Sequence, residues 1–170
     1  MYGEADKVKL ALGTVQFGMK YGIQGNEQPD LEHALNILNA TYAAGIQTFD
    51  TSAVYGSAED ILHIFLSQSH VNKEKVSVIS KFSGEVEKLE QGIISSLSRL
   101  GLDTLGGYLL HDADQIFNYH AIHALTELKK KRLTNKIGVS VYTSEQALKA
   151  LEYNEIDIIQ VPYNIFDRRL

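Results

Sequence analysis

Six apolar segments rich in branched residues recur along the chain, at Val8–Gly13, Ile46–Asp50, Val76–Lys81, Leu105–His111, Lys136–Ser140 and Ile156–Val161. After the first interval they return about every 30 residues, the length of a strand-plus-helix unit. Amphipathic stretches fill most of the gaps, and such alternation implies a parallel sheet covered by helices. The first interval is longer because a glycine-rich loop, Thr14–Pro29, precedes the first helix. That loop is a candidate active-site feature.

The helices have readable ends. In 31–44, Leu31, Leu35, Leu38 and Tyr42 share one face, Asp30 caps the start and Gly45 ends it. A second helix begins at Ser57 as cap and presents Ile61, Leu62, Phe65 and Leu66. A third carries Val86, Leu89, Ile93, Leu97 and Leu100 and stops at Gly101, and a fourth presents Ile122, Leu125 and Leu128. The fifth opens on the capping-box pattern Thr143-Ser144-Glu145-Gln146 and is expected to turn Leu148 and Leu151 to the core. No linker or low-complexity tract interrupts the units, so one domain over residues 1–170 is expected.

Two folds satisfy this pattern. A doubly wound nucleotide-binding sheet carries a glycine fingerprint after its first strand, and Gly13-Thr14-Val15-Gln16-Phe17-Gly18 does not fit G-x-G-x-x-G. A complete (β/α)8 barrel takes about 250 residues. The expected fold is therefore an incomplete α/β barrel of the (β/α)8, TIM-barrel type, with about six parallel strands and five helices.

Composition excludes several functions. The chain has no cysteine, hence no disulfide framework and no thiolate nucleophile or thiolate metal site. A net charge of −5 gives no footprint for nucleic acid, and the basic run Lys129-Lys130-Lys131-Arg132 reads as a helix end that complements the macrodipole. No apolar run approaches the roughly 18 residues that span a bilayer, and the acidic start, Met1-Tyr2-Gly3-Glu4-Ala5-Asp6, is unlike a signal peptide. A cytoplasmic protein with no membrane role is expected. His120 and His123 lack companions for a metal site, and His33, His63 and His70 read as solvent-facing.

Chemistry concentrates at the C-terminal ends of the strands, where parallel α/β folds build active sites. Asp50 closes the second strand, Tyr55 follows in the next loop, Lys81 ends the third and His111 the fourth. A lysine in a segment suited to burial needs a carboxylate, and Asp50 on the neighbouring strand is the natural one. An ammonium within hydrogen-bonding distance of Tyr55 would ease loss of the phenolic proton, and His111 could orient a substrate carbonyl. The set suits proton donation to a carbonyl oxygen. Phe17 and Tyr21, in the first loop, are candidate walls of the pocket.

The segments Leu12-Gly13-Thr14-Val15-Gln16-Phe17-Gly18, Phe49-Asp50-Thr51-Ser52-Ala53-Val54-Tyr55-Gly56, Ile79-Ser80-Lys81, Ser96-Leu97-Ser98-Arg99-Leu100-Gly101 with Leu109-Leu110-His111, and Ile137-Gly138-Val139-Ser140 resemble, in order, the motifs of the aldo-keto reductases. The resemblance implies a (β/α)8 barrel, NADPH (NADP+) as cofactor, a small-molecule carbonyl substrate, and a tetrad of Asp50, Tyr55, Lys81 and His111 with Tyr55 as general acid. It further implies that Ser140 and Gln160 hold the nicotinamide carboxamide. Val141 stands where the family often has Asn, and Gly106-Gly107 where an Ile-Asp-like strand sequence is commoner. In the family the last two units hold the cofactor's phosphates, whereas here the sequence ends at Leu170 after the sixth strand-like segment. Residues 1–170 alone are thus expected to bind NADPH weakly, to turn over little and to self-associate through an open sheet edge. The alternative is a non-catalytic barrel that senses cofactor or acts as a scaffold.

Overall fold

The structure is a computed structural model and describes residues 9–22 and 27–168. Val8, at the head of the first expected strand, lies outside the described residues, as does part of the glycine-rich loop. The strands are β1 (Ala11–Gly13), β2 (Thr48–Asp50), β3 (Ser77–Phe82), β4 (Gly107–Leu110), β5 (Ile137–Ser140) and β6 (Ile158–Gln160). They form one sheet in chain order, each pair parallel. The helices are α1 (Val15–Gly18), α2 (Leu31–Ala43), α3 (Ala58–Leu66), α4 (Leu89–Leu100), α5 (Tyr119–Lys130) and α6 (Ser144–Leu151). The five expected helices are present, and α1 is an additional short turn inside the first loop.

The sheet is strongly curled. Four strand spacings separate β2 from β6, roughly 19 Å if the sheet were flat. Yet the Gln160 Nε2 on β6 donates to Asp50 Oδ1 on β2 at 3.0 Å, so the interior faces of the two strands meet. This is an incomplete (β/α)8 barrel of six strands.

Alternation along each strand sorts the side chains. Phe49, Val78, Tyr108, Leu110, Val139 and Val141 point outward and join Phe65, Leu89, Ile93 and Leu125 of the helices in the hydrophobic core. Asp50, Lys81 and Gln160 point inward. The interior explains Gly106-Gly107: a Cβ at Gly106 would collide with the Ser77 hydroxyl, and one at Gly107 would lie 2.9 Å from Ile158 Cδ1 on β6. The first is the tighter constraint, because Ser77 Cβ and Cα crowd the same position.

Helix ends follow the sequence in most places. Asp30 accepts from the His33 amide, Gly101 ends α4 in the left-handed region at φ 64°, and Thr143 with Gln146 forms the capping box. Ser57 departs from expectation: it stands before α3 without a side-chain cap and takes a 3.3 Å hydrogen bond from Gln28 Nε2 instead. Leu148 and Leu151 also depart, being 64% and 70% exposed. α6 packs through the small side chains of Ala147 and Ala150, a turn of the helix that leaves the two leucines outside. Leu31 is likewise exposed while Ala34 and Leu38 take the buried face of α2. The three lysines of the basic run make ion pairs, Lys129 with Asp157, Lys130 with Glu127 and Lys131 with Glu90. Among the described residues, no group of three or more His, Cys, Asp or Glu could hold a metal, and no helix is long and apolar enough to cross a membrane.

Ser80 ties the outside of β3 to α3 by donating to Glu59 Oε1 at 2.8 Å. Glu59 is 1% exposed, and its second oxygen has the Arg99 guanidinium at 3.5 Å. Ser80→Ala strips a donor from a buried carboxylate and is expected to cost about 1–3 kcal/mol in urea denaturation. An unchanged midpoint would show that the carboxylate finds water there.

Candidate active site

Asp50 is the last residue of β2 and Lys81 the penultimate residue of β3, paired strands that bring the two side chains to one rim. Lys81 Nζ donates to Asp50 Oδ1 at 2.8 Å, to Oδ2 at 2.7 Å and to the Thr51 carbonyl at 3.0 Å. The acceptors of the ammonium are thus one carboxylate and one backbone carbonyl. Lys81 is 2% exposed and burial lowers its pKa, an effect opposed by the Asp50 charge and hydrogen bond. Gln160 adds a further donor to the same carboxylate.

Tyr55 is held over this pair by its loop. Its amide donates to the Ser52 carbonyl and its carbonyl accepts from Ala58, the first residue of α3. Gly18 at the end of α1 passes so close that a Cβ there would collide with the Tyr55 carbonyl, and a Cβ on Gly56 (φ 54°) would collide with the Gly18 carbonyl. Only glycine fits either position of this crossing. The Lys81 ammonium lies 5.1 Å from the centroid of the Tyr55 ring, and the His111 ring meets Tyr55 edge-on at 5.8 Å.

The tetrad therefore converges, but with one difference from the sequence expectation. The ammonium lies over the Tyr55 ring, and its hydrogen bonds go to Asp50 and the Thr51 carbonyl rather than to the phenol oxygen. The phenol is correspondingly not acidified: burial first, then Asp50, Tyr142 and Tyr21, push its pKa up to about 12. Tyr55 keeps its proton in the resting site.

His111 follows β4, anchored by its amide on the Phe82 carbonyl at 2.8 Å. Burial and the nearby Lys81 charge hold its pKa below the usual imidazole value, against the pull of Asp50. The ring is neutral at neutral pH.

Ser140 and Gln160 are register partners on β5 and β6, so a hydroxyl and a primary amide stand side by side at the same rim. Together they offer donors and acceptors of the kind a carboxamide needs. These residues fit a nicotinamide. Val141 points into the core with 0% exposure, which accounts for an apolar residue there. Phe17 is a core residue of α1, whereas Tyr21 is 59% exposed and near enough to influence Tyr55.

Sequence reasoning missed two participants. Ser52 is 1% exposed and contacts both His111 Nδ1 and the Lys81 carbonyl. Its position two residues after Asp50 was the available signal, since alternation places i and i+2 on one side. Tyr142, exposed beside the mouth, carried no signal in the sequence.

Comparison with known proteins bears on the family and the fold. The family model described as "Aldo/keto reductase family" matches residues 9–170. The NADH-specific methylglyoxal reductase of Escherichia coli is 25% identical over 187 residues, covering 95% of this chain and 57% of that protein. The glyoxal reductase of Bacillus subtilis is 31% identical over 157 residues, covering 86% of this chain and 54% of the relative. The chain thus spans about half the length of these curated relatives. A crystal structure of a candidate aldo-keto reductase from Pseudomonas aeruginosa superposes with a TM-score of 0.80 at 28% identity, over 94% of this chain and 64% of that one. With nearly its whole length matched by the family model and its strands superposing on a solved member, the chain belongs to the aldo/keto reductase family.

Proposed function

We propose that the protein to which these residues contribute reduces a small aldehyde or ketone to an alcohol, with Tyr55 as the proton donor and NADPH as the cofactor. The observation that carries the reading is the convergence of Tyr55, Lys81, Asp50 and His111 at one rim, on residues 31 to 61 positions apart in pairs such as Asp50–Lys81 and Asp50–His111. The nicotinamide, held by Ser140 and Gln160, supplies a hydride when bound. Tyr55 then gives its phenolic proton to the carbonyl oxygen, which has become far more basic than a phenolate. Burial, which pushes the phenol up to about 12, favours keeping this proton in place beforehand. Lys81, pinned by Asp50, places a positive charge against the ring and stabilises the phenolate that remains. His111 lies edge-on to Tyr55 and lines the same mouth.

The names of the two relatives direct the first substrates to glyoxal and methylglyoxal. One relative is named NADH-specific, so both reduced dinucleotides belong in the test. Residues 1–170 and a version closed by two further βα units are titrated with NADPH and NADH by fluorescence and assayed with methylglyoxal. The closed version is expected to bind NADPH the more tightly and to turn over. The 170-residue chain, with one side of β1 and of β6 unpaired among the described residues, is expected to bind weakly and to self-associate in light scattering. A closed version that binds neither dinucleotide would overturn the proposal.

A further inference from the structure

Two members of the site are tied together from behind the sheet. Tyr55 lies in the loop before α3, and its carbonyl accepts from the amide of Ala58, the first residue of that helix, at 3.0 Å. The next residue is Glu59, 1% exposed, whose Oε1 accepts from the Ser80 hydroxyl at 2.8 Å. Ser80 precedes Lys81 on β3, and alternation sends one side chain out to α3 and the other in to Asp50. One side-chain hydrogen bond thus spans from the helix that follows the phenol to the strand that carries the ammonium. The helix start has no cap of its own, since Ser57 makes no side-chain hydrogen bond to the first turn.

Stability alone does not account for a carboxylate here. Replacing buried charges with apolar side chains of similar volume is often neutral or stabilising. The surroundings are also poorly satisfied. Glu59 Oε2 has the Arg99 guanidinium at 3.5 Å as an ion pair but makes no hydrogen bond, and Ser96 Oγ and the Tyr108 hydroxyl are buried without a partner among the described residues. Tyr108 is the register partner of Ser80 on β4, and burial, then the Glu59 charge, push its pKa up. What a carboxylate adds that an apolar side chain cannot is direction, because a hydrogen bond weakens steeply away from its preferred angle.

We infer that Glu59 is a positioning residue for the proton donor: by holding Ser80 it fixes the start of α3, and through the Ala58 amide the Tyr55 backbone, relative to Lys81. The role rests on the function proposed above, in which Tyr55 gives the proton, and it acts on the reaction only through Tyr55. The arrangement so held leaves the Lys81 ammonium 5.1 Å from the centroid of the Tyr55 ring. Severing the strut is expected to displace that ring. A misplacement of about 1 Å can cost about 10²-fold in rate, so kcat is expected to fall about 10- to 100-fold with KM little changed.

The test uses the protein to which these residues contribute, with tyrosine labelled in the ring with carbon-13. Tyr55 is assigned by the NMR signal lost in Tyr55→Phe, and reading it needs no turnover. Glu59→Ala is expected to move that signal, and Ser80→Ala to move it in the same direction, because each removes one end of the same hydrogen bond. Glu59→Gln keeps an acceptor oxygen for Ser80 and is expected to leave the signal near its wild-type position. Ile122→Val, a core truncation on α5, lowers stability without touching the strut and should leave it unmoved. In assays with methylglyoxal and reduced dinucleotide, the double variant Glu59→Ala with Ser80→Ala should lose no more kcat than Glu59→Ala alone. A Tyr55 signal unmoved in Glu59→Ala and Ser80→Ala, or moved as far by Glu59→Gln or Ile122→Val, overturns the inference. If Glu59→Ala does not fold, Ser80→Ala decides. Signals that shift as expected in a protein that reduces no carbonyl would defeat the proposed function and leave the role of Glu59 in placing Tyr55 intact.

Discussion

Tyr55→Phe, in a version of the barrel able to turn over, is expected to lower kcat for a small aldehyde by about 10²–10⁴-fold, the usual worth of general acid catalysis. The substitution removes one oxygen and keeps the ring, so the cation–π contact with Lys81 and the edge-on packing against His111 both persist. Ser140 and Gln160, on β5 and β6, are untouched. Dinucleotide affinity should therefore be unchanged in a fluorescence titration, and the loss should fall on kcat. The fold should be no less stable, because the phenol oxygen makes no hydrogen bond among the described residues. A variant that reduces its best substrate as fast as wild type would remove Tyr55 from the role of acid.

Lys81→Met is the most damaging substitution expected for the fold. The ammonium is enclosed and supplies three hydrogen bonds, two to Asp50 and one to the Thr51 carbonyl. Removing one partner of a buried pair leaves the other charge uncompensated, at a cost of about 3–5 kcal/mol. The Asp50 side chain is 19% exposed and keeps the Gln160 amide, which places the expected loss at the lower end of that range. Urea denaturation measures it. A second substitution, Asp50→Asn, takes away the stranded charge while keeping an oxygen for Gln160. The double variant should therefore be more stable than Lys81→Met alone, with a coupling of about 1–3 kcal/mol. Additive losses would mean that water neutralises Asp50 without help from the lysine. Turnover should fall with Lys81→Met, since the positive charge beside the Tyr55 ring is lost.

The strands and the Asp50–Lys81 pair were legible because they depend on local rules. A two-residue alternation fixes which side chains face inward, and adjacent strands in a parallel sheet bring their C-terminal ends together. Gly101, Asp30 and the Thr143 capping box were legible for the same reason, each being a matter of a few neighbouring residues. What escaped depends on curvature. Gln160 reaches Asp50 across 110 positions of chain only because the sheet curls, and no feature of either segment announces it. The Lys81 ammonium lies over the Tyr55 ring while it bonds to Asp50 and the Thr51 carbonyl, and a backbone acceptor of that kind is invisible to residue type. Leu148 and Leu151 misled through size. Helical spacing gives a face to small and large side chains alike, and α6 buries its alanines.

The glycine crossing of α1 with the Tyr55 loop has a consequence for anyone redesigning this protein. The loop after β1 borders the mouth and would be an obvious place to graft new segments for altered substrate choice. Yet its first turn is locked, backbone to backbone, onto the peptide that seats the phenol, and the contact tolerates no Cβ on Gly18 or Gly56. The two loops behave as one mechanical part: a donor sequence that shifts the first drags Tyr55 with it. Grafts should therefore be exchanged as matched pairs, residues 14–18 together with 51–57, with length variation confined to positions beyond Met19.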